Sequence, residues 1–377
     1  MIKTYCFKLY NSNRNKHLHG LINLSAQIYN HCIALHKRYY RLYGVHLNKG
    51  KLQAHITKLK KLEKYKHWNN LGSQAIQEIT DRIENAYTLF FRNLKRKVRC
   101  SPPSFKKRVK YKSFTLKQAG YKLLDDNSVI IGKRKYKFFK SREVEGKIKT
   151  VIIKRDSLGD IYIYFVCDIS DTGKPIITRT GKSVGFDFGL TTYLKASDGN
   201  DIESPLFFKD SQAVIKKLNR TLSRKQKGSN SRKKAKRALT KQHIKIANRR
   251  KDFQFKLVNS LCQEYDLICV EDLNIKAMQR LWGRKISDLS HSSFVNLLKQ
   301  QAHKYDVTIS EIPRFFPSSK TCSACGCVVD ELPLKIRSWT CAACNTAHDR
   351  DFNAAVNILR VGTSALGGVL VNPASVG

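Results

Sequence analysis

The order of apolar and polar residues predicts secondary structure along the first quarter of the chain. Residues 2–10 alternate as a β-strand does. Apolar residues then recur every three or four positions over 21–42, 52–65 and 76–94. This spacing predicts three helices with one apolar face each, the last with Ser73 as its N-cap. The polar faces bear Lys and Arg, and for any single helix a solvated surface is the simpler explanation.

A change of composition at 101–103, Ser-Pro-Pro, marks the end of these helices. Short apolar runs separated by turns follow, and they predict β-strands that include a hairpin at 151–169. Because strands stand on both sides of the helices, we expect a β-barrel made of residues 1–15 and 101–180. A helical lobe at 16–100 would interrupt it.

Beyond residue 181 the pattern alternates between strands and helices, which is typical of an α/β domain over 181–377. The predicted strands are 183–188, 190–196, 267–270 and 306–312. The predicted helices are 211–226, 230–264, 293–304 and one that starts near Phe352. The last residues, 361–377, are rich in Gly and Ser and predict a flexible tail.

The charge of the chain indicates a polyanionic partner. There are 71 Lys and Arg against 29 Asp and Glu, which gives a net charge of +42. A compact protein with this excess repels itself unless it works beside a polyanion, and nucleic acid fits best. A membrane surface is the alternative, but the sequence has neither an apolar run of spanning length nor a basic amphipathic anchor at a terminus. Since the N-terminus also lacks the apolar core of a signal peptide, we expect a cytoplasmic protein.

Two basic segments are the expected contacts with nucleic acid. Segment 104–113 interleaves basic and aromatic residues, which suits a groove that follows a phosphate backbone. Segment 216–251 holds sixteen Lys or Arg and no acid. A solvated helix is the alternative, but the lack of acidic partners favours phosphate contact. The side chains expected to bind are Lys106, Lys107, Arg108, Lys110, Lys112, Arg224, Arg232, Lys233, Lys234, Arg237, Lys241, Arg249 and Arg250.

Four of the eleven cysteines have the spacing of a zinc site. Cys322 and Cys325 form one CxxC pair, Cys341 and Cys344 form a second one, and fifteen residues separate the two pairs. Each pair turns two thiolates toward one point, and two pairs make a closed tetrahedral site for structural Zn²⁺. Two unrelated pairs of buried thiols are the alternative. We expect this module to occupy 315–348. The remaining cysteines resemble reduced core thiols and lie at 6, 32, 100, 167, 262, 269 and 327.

Three acidic positions stand next to apolar runs. Asp187 lies in VGFDFGL, Glu271 ends the strand LICVE, and Asp349 and Asp351 precede the last helix in HDRD. Each has a simple explanation: Asp187 could bind a turn, Glu271 could lie outside the sheet and Asp351 could cap the helix. Together they converge if their strands are neighbours, as in an RNase H-like fold. In that fold, carboxylates around two Mg²⁺ ions hydrolyse phosphodiesters.

Several stretches of the chain resemble the TnpB family, the RNA-guided nucleases of insertion-sequence transposons, long catalogued as transposases. Type V CRISPR effectors are related to this family. The resemblance covers nearly the whole chain. It is carried by KTYCFKLY and LGSQAIQEITDRIENAYTLFFRNLKRK in the first half, and by VGFDFGL, VEDLN, FFPSSKTCSACG and HDRDFNAAVNIL in the second.

The resemblance implies a multidomain protein with mixed α+β and α/β folds. It implies a wedge-type β-barrel with a helical recognition lobe, then a RuvC nuclease domain with an inserted zinc ribbon. The RuvC acids fall on Asp187, Glu271 and Asp351, since the family places its third acid directly before x-N-A-A. They would hold catalytic Mg²⁺.

The implied partners are a transposon-derived guide RNA and double-stranded target DNA beside a short motif, with one protein monomer for each guide. A transposase that uses the same acids for strand transfer is one alternative. An RNA-guided repressor without cleavage is the other, and the intact acids disfavour it.

Overall fold

A computed structural model describes residues 2–169, 179–189, 191–205, 207–273, 283, 288–333 and 335–366. The chain divides into two compact units, Met1–Thr172 and Gly173–Gly377, and both contain helices and sheets. In the described part of the chain, no helix has the length and apolar character needed to cross a membrane.

The first unit places its long helices between the first and second strands along the chain. Its helices are α1 (Asn15–Tyr43), α2 (Lys49–Leu59), a 3₁₀ helix (Glu63–Leu71) and α3 (Ser73–Lys95). Its strands are β1 (Ile2–Lys8), β2 (Ser113–Leu116), β3 (Tyr121–Leu124), β4 (Ser128–Ile131), β5 (Arg134–Lys137), β6 (Lys147–Arg155) and β7 (Ile161–Asp168).

These strands form two antiparallel sheets, one in the order β1-β7-β6-β2 and the other in the order β3-β4-β5. A bridge between Leu9 and Phe138 connects them. The apolar faces of α1 and α3 share one core with the strands, as the helical periodicity predicts. Helix α3 differs from the prediction at its start, because Gly72 is its N-cap and Ser73 is its first residue. Gly72 has φ +81°, so the chain turns directly from the 3₁₀ helix into α3 without a side-chain cap.

The second unit contains the alternating elements that its sequence predicts. Its helices are α4 (Phe207–Ser223), α5 (Asn230–Glu264), α6 (His291–Tyr305) and α7 (Arg350–Ser364). Its strands are β8 (Ser183–Asp187), β9 (Thr192–Ala196), β10 (Ile202–Glu203), β11 (Leu267–Glu271), β12 (Thr308–Ile312), β13 (Ser338–Thr340) and β14 (Ala347–Asp349).

The main sheet of this unit has the order β10-β9-β8-β11-β12. Strands β8, β11 and β12 run parallel, whereas β9 and β10 are antiparallel to their neighbours. Val184, Phe186, Ile268 and Val270 face a core shared with α5 and α6. On the same strands, alternate residues point to the opposite face, which α7 covers.

Helix α7 continues to Ser364, four residues into the predicted tail. Gly362 in that stretch is a contact with the sheet, since a Cβ there would lie 2.3 Å from the Cys269 Sγ. Ser310 Oγ also donates a hydrogen bond to the Gly362 carbonyl. Close packing against the sheet therefore explains this glycine better than flexibility does. The last part of the predicted tail, 367–377, lies outside the described residues.

Candidate active site and metal centre

Two parallel strands carry Asp187 and Glu271 to the same edge of the main sheet. Residues 183–186 of β8 pair with 267–270 of β11 in unbroken register, and the two acids are the next residues along. The apolar residues before them set this register, because a slip by one position would turn Val184 and Phe186 away from the core that they share with α5 and α6 and toward the closely packed α7. The two carboxylates are therefore side-by-side neighbours.

Close packing of α7 on β8 brings a third acid to the same edge. A Cβ on Gly185 would lie 2.3 Å from the Ala355 carbonyl oxygen and 2.6 Å from the Leu359 nitrogen. The helix backbone thus crosses directly over this glycine. Asp351 precedes Ala355 by one helical turn, while Asp187 follows Gly185 by two residues on the same face of the strand. Glycine at 185 is what permits this approach.

The two acids of HDRD have different partners. The Asp349 side chain caps α7 by accepting a hydrogen bond from the Phe352 amide at 2.8 Å. Asp351 is one position inside the helix, and the Arg337 guanidinium lies 3.2 Å from both of its carboxylate oxygens. Helix capping therefore accounts for Asp349 and leaves Asp351 for another role.

The three carboxylates affect one another electrostatically. Burial, together with the negative charges of Glu271 and Asp351, raises the pKa of Asp187 to about 7. Burial also raises the pKa of Glu271, against the opposing effect of a hydrogen bond from Ser318. Like charges that share a half-buried site normally have a cationic or metal partner.

Ser318, Asn353 and Asn357 support this site. Ser318 Oγ donates a hydrogen bond to Glu271 Oε1 at 2.5 Å. The Asn357 side-chain amide donates to the carbonyls of Ser318 at 2.9 Å and Thr321 at 2.6 Å, and Asn353 donates to Thr321 at 2.7 Å. The sequence interpretation missed all three residues. Only the two asparagines have a sequence signal: their four-residue spacing places both on one face of α7.

The four predicted zinc cysteines lie together, with all four Sγ atoms within 4.8 Å of one another. The Cys322 and Cys344 sulfurs are 3.6 Å apart, and those of Cys325 and Cys341 are 3.7 Å apart. Disulfide sulfurs would be about 2 Å apart. Zn–S bonds of about 2.3 Å in a tetrahedron require sulfurs roughly 3.8 Å apart. The cluster could therefore hold a metal ion of that kind.

The basic segment 104–113 is held against α1 by a reciprocal pair of hydrogen bonds. The Asn30 amide accepts from the Lys106 backbone at 2.9 Å and donates to its carbonyl at 3.0 Å. The Lys106 ammonium lies over the Tyr29 ring, and Lys112 donates to Ser157 Oγ at 2.9 Å. Lys107, Arg108 and Lys110 are exposed.

The predicted contacts on α4 and α5 divide into two groups. Arg250 pairs with Asp288 at 2.7 Å, and Arg232 donates to the carbonyls of Leu222 and Lys225. These two guanidinium groups therefore have partners inside the protein. The others are exposed on the helix surfaces: Arg224, Lys233, Lys234, Arg237, Lys241 and Arg249.

Comparison with family models gives two matches. Residues 165–281 match a family described as a probable transposase of the OrfB type from IS605 elements. Residues 291–358 match the Cas12f1-like TNB domain. The first matched segment contains Asp187 and Glu271. The second contains the four cysteines and Asp351.

Full-length comparisons agree with these matches. A Streptomyces pristinaespiralis protein called "Putative RNA-guided DNA endonuclease" is 31% identical over 318 residues, which cover 83% of this chain and 77% of the relative. An Escherichia coli K12 protein called "Putative RNA-guided DNA endonuclease InsQ" is 28% identical over 360 residues. The aligned residues cover 90% of this chain and 87% of that relative.

The fold is that of a compact CRISPR effector. The solved structure of the mini-RNA-guided endonuclease CRISPR-Cas_phi3 matches with a TM-score of 0.54 and 11% identity, over 100% of this chain and 94% of that one. The family itself follows from the sequence relative that is 31% identical. The chain belongs to the TnpB family.

Proposed function

We propose that this protein is an RNA-guided DNA endonuclease that hydrolyses phosphodiester bonds at Asp187, Glu271 and Asp351. One observation carries the proposal: two adjacent strands and a crossing helix direct three carboxylates to one edge of a sheet. The strand order, with the first strand of the unit in the centre and the second and third antiparallel beside it, supports an RNase H-like domain of the RuvC type.

Carboxylate oxygens are the ligands that Mg²⁺ prefers, so these three acids are the residues that would hold it. The raised pKa of Asp187 supports this fit, because a cation would offset the repulsion from the other two acids. Bound Mg²⁺ supplies activation of a water molecule and stabilisation of the leaving 3′ oxygen. Within the chain, Ser318 orients the carboxylate of Glu271, and Arg337 offers positive charge beside Asp351.

We propose that the four-cysteine cluster is a zinc ribbon inserted in the nuclease domain. Four thiolates close the coordination shell and leave no position for a substrate, so this zinc would be structural. Asn353 and Asn357 bind the segment that leads into Cys322, and this segment includes Ser318. The fold of the ribbon would therefore help to position Glu271.

We propose a guide RNA and a target DNA duplex as partners, following the descriptions of the relatives. The net charge of +42 supports a protein that holds two nucleic acids at once. In such proteins base pairing provides the sequence specificity, and the protein contacts the heteroduplex through its backbone and shape.

The test is a cleavage assay with a defined guide RNA, matched and scrambled DNA targets, and Mg²⁺. Alanine at 187, 271 or 351 should each abolish cleavage of the matched target and leave RNA and DNA binding nearly unchanged, because each removes a metal ligand and no basic surface. Asp349→Ala is the matched control. It should retain cleavage with a helix cap weakened by about 1 kcal/mol.

The alternatives predict other results. Cleavage of matched and scrambled targets alike would indicate an unguided nuclease, and joining of a transposon end to the target would indicate a transposase. Guided binding without cleavage by the unaltered protein would indicate a repressor. Loss of cleavage in Asp349→Ala with full activity in Asp351→Ala would show that the third acid is misassigned.

A further inference from the structure

Phe315 has the most exposed large apolar side chain among the described residues, at 93% of its full accessible area. Its neighbour Phe316 is turned the other way and packs with Leu267, Cys269, Ile312 and Ile358. The same short segment therefore places one phenyl ring in the core and the next in water. Exposing a whole phenyl ring is unfavourable, so a ring held in this way indicates a binding role.

The segment is fixed on both sides of Phe315, and both fixed points lie at the acidic site. Arg314 donates to the Asp272 carboxylate at 2.6 Å and to its carbonyl at 3.2 Å, and Asp272 directly follows Glu271. Three residues beyond Phe315, Ser318 donates to the Glu271 carboxylate. A span of three residues is at most about 11 Å long. Phe315 is thus close to the proposed catalytic acids.

The backbone between these points is also restrained. The Phe316 amide donates to the Pro313 carbonyl at 3.1 Å, and the Ser318 amide donates to the Phe316 carbonyl at 2.8 Å. Proline at 313 and 317 limits the chain further. The ring is therefore presented by a rigid support, which lowers the entropic cost of binding a ligand.

The surroundings indicate what would cover the ring. Arg314, directly before Phe315, is an exposed basic side chain that pairs with Asp272, and Arg337, which is 64% exposed, pairs with Asp351. An exposed aromatic ring directly after an arginine and next to a phosphodiester site matches a nucleotide, whose phosphate would contact the cation and whose base would stack on the ring.

We infer that the Phe315 ring stacks on a base of the DNA strand being cut, next to the scissile phosphate. This inference rests on the proposed nuclease function and adds a substrate contact to it. Stacking holds the unpaired strand so that its phosphate lies at Asp187, Glu271 and Asp351. Every base has a π-face, so the contact positions the strand without reading its sequence.

The experiment is a double-mutant cycle in which one change is made in the protein and the other in the DNA substrate. The cleavage rate is measured with the guide-loaded protein and Mg²⁺. Phe315→Ala should lower the single-turnover cleavage rate about tenfold. An abasic residue at one position beside the cut should slow the unaltered protein by a similar factor. The two changes together should slow cleavage no more than either alone, since both remove the same contact.

Conservative variants separate stacking from packing. Phe315→Trp should keep the wild-type rate, whereas Phe315→Leu, apolar but without a ring, should behave like alanine. Leu42→Ala is the matched control, because Leu42 is 63% exposed in the first unit and should have no effect. A wild-type rate in Phe315→Ala or Phe315→Leu would overturn the inference. The inference would also be overturned if the effects of Phe315→Ala and of the abasic residue on the cleavage rate were fully additive at every position tested.

Two further measurements identify the partner. Abasic residues in the guide RNA should not mimic Phe315→Ala; if they do, the ring contacts the guide and the inference is wrong. A single-stranded oligodeoxynucleotide with 2-aminopurine, without Mg²⁺, should be quenched by the wild-type protein and not by Phe315→Ala. This readout needs no cleavage, so it decides the role of Phe315 even if the nuclease proposal fails. Equal quenching by both proteins would refute the stacking contact.

Discussion

Ser318 is the residue through which the acidic site contacts the segment that leads into the cysteine cluster. Its hydroxyl donates to Glu271, and its carbonyl accepts from Asn357 on α7. The Ser318 side chain is buried, and its acceptor Glu271 is half-buried. A hydrogen bond to a charged group contributes about 1.5–3 kcal/mol, more than a neutral one.

We predict that Ser318→Ala lowers the rate of DNA cleavage about tenfold, because the Glu271 carboxylate loses the donor that orients it. The binding constants for guide RNA and target DNA should not change. Ser318→Thr keeps a hydroxyl and should restore part of the rate. Ser319→Ala is the control, since the Ser319 hydroxyl forms no hydrogen bond with any described residue. Equal losses in both alanine variants would rule out a specific role for Ser318.

At the scale of elements, the position of α7 on the sheet decides whether the three acids meet. Two points set that position: the close approach at Gly185 and the contact of Gly362 with Cys269. Both glycines are needed for space, because a Cβ at either would come within 2.3 Å of an atom of the neighbouring element. Neither has the left-handed conformation that otherwise favours glycine.

We predict that Gly185→Ala moves α7 off β8, lowers the unfolding free energy by about 1–3 kcal/mol and strongly reduces cleavage. Gly20→Ala is the matched control, because Gly20 lies inside α1 and a Cβ there meets no atom within 4 Å. That change should stabilise the protein by about 0.5–1 kcal/mol through helix propensity. Thermal denaturation and the cleavage assay measure both effects. Unchanged stability in Gly185→Ala would contradict the close approach.

The cysteine cluster is a second element whose fold depends on few contacts of its own, since β13 and β14 are three residues each. We predict that purified protein contains one zinc per chain, and that Cys344→Ser loses it. Zinc affinity is part of the folding free energy of such small modules. Cys327→Ser is the control, since Cys327 is outside the cluster. Elemental analysis gives the stoichiometry, and protein without zinc would disprove the ribbon.

For the whole molecule, the excess of positive charge should govern RNA affinity. We predict that RNA copurifies with the protein. We also predict that the affinity of the protein for RNA falls about 10³-fold or more between 50 and 200 mM salt. Lys234→Gln with Arg237→Gln on the exposed face of α5 should reduce the salt slope by about one unit per lost phosphate contact. Lys256→Gln should not, because that ammonium already pairs with Asp252 at 2.9 Å. A shallow slope in the wild-type protein would argue against extensive phosphate contact.

The sequence alone determined the elements of this protein and the residue types of its two candidate sites. Helices and strands follow local periodicity, which depends on near neighbours along the chain, and the observed bounds lie close to the predicted ones. The CxxC pairs were recognisable because a metal site made of two tight turns is encoded in short spacings. Asp187 and Glu271 stood out because a carboxylate at the end of a buried strand is costly without a partner.

The tertiary structure decided how those residues are used. The two acids of HDRD differ because α7 begins between them: Asp349 is the N-cap and Asp351 lies inside the helix. The hydrogen bond from Ser318 joins residues 47 positions apart, so no local pattern contains it. Arg250 lies in a basic run, which predicts a phosphate contact, and the run does not reveal that its guanidinium also pairs with Asp288, 38 residues away. Such pairings depend on how distant segments pack, and packing is a property of the folded chain.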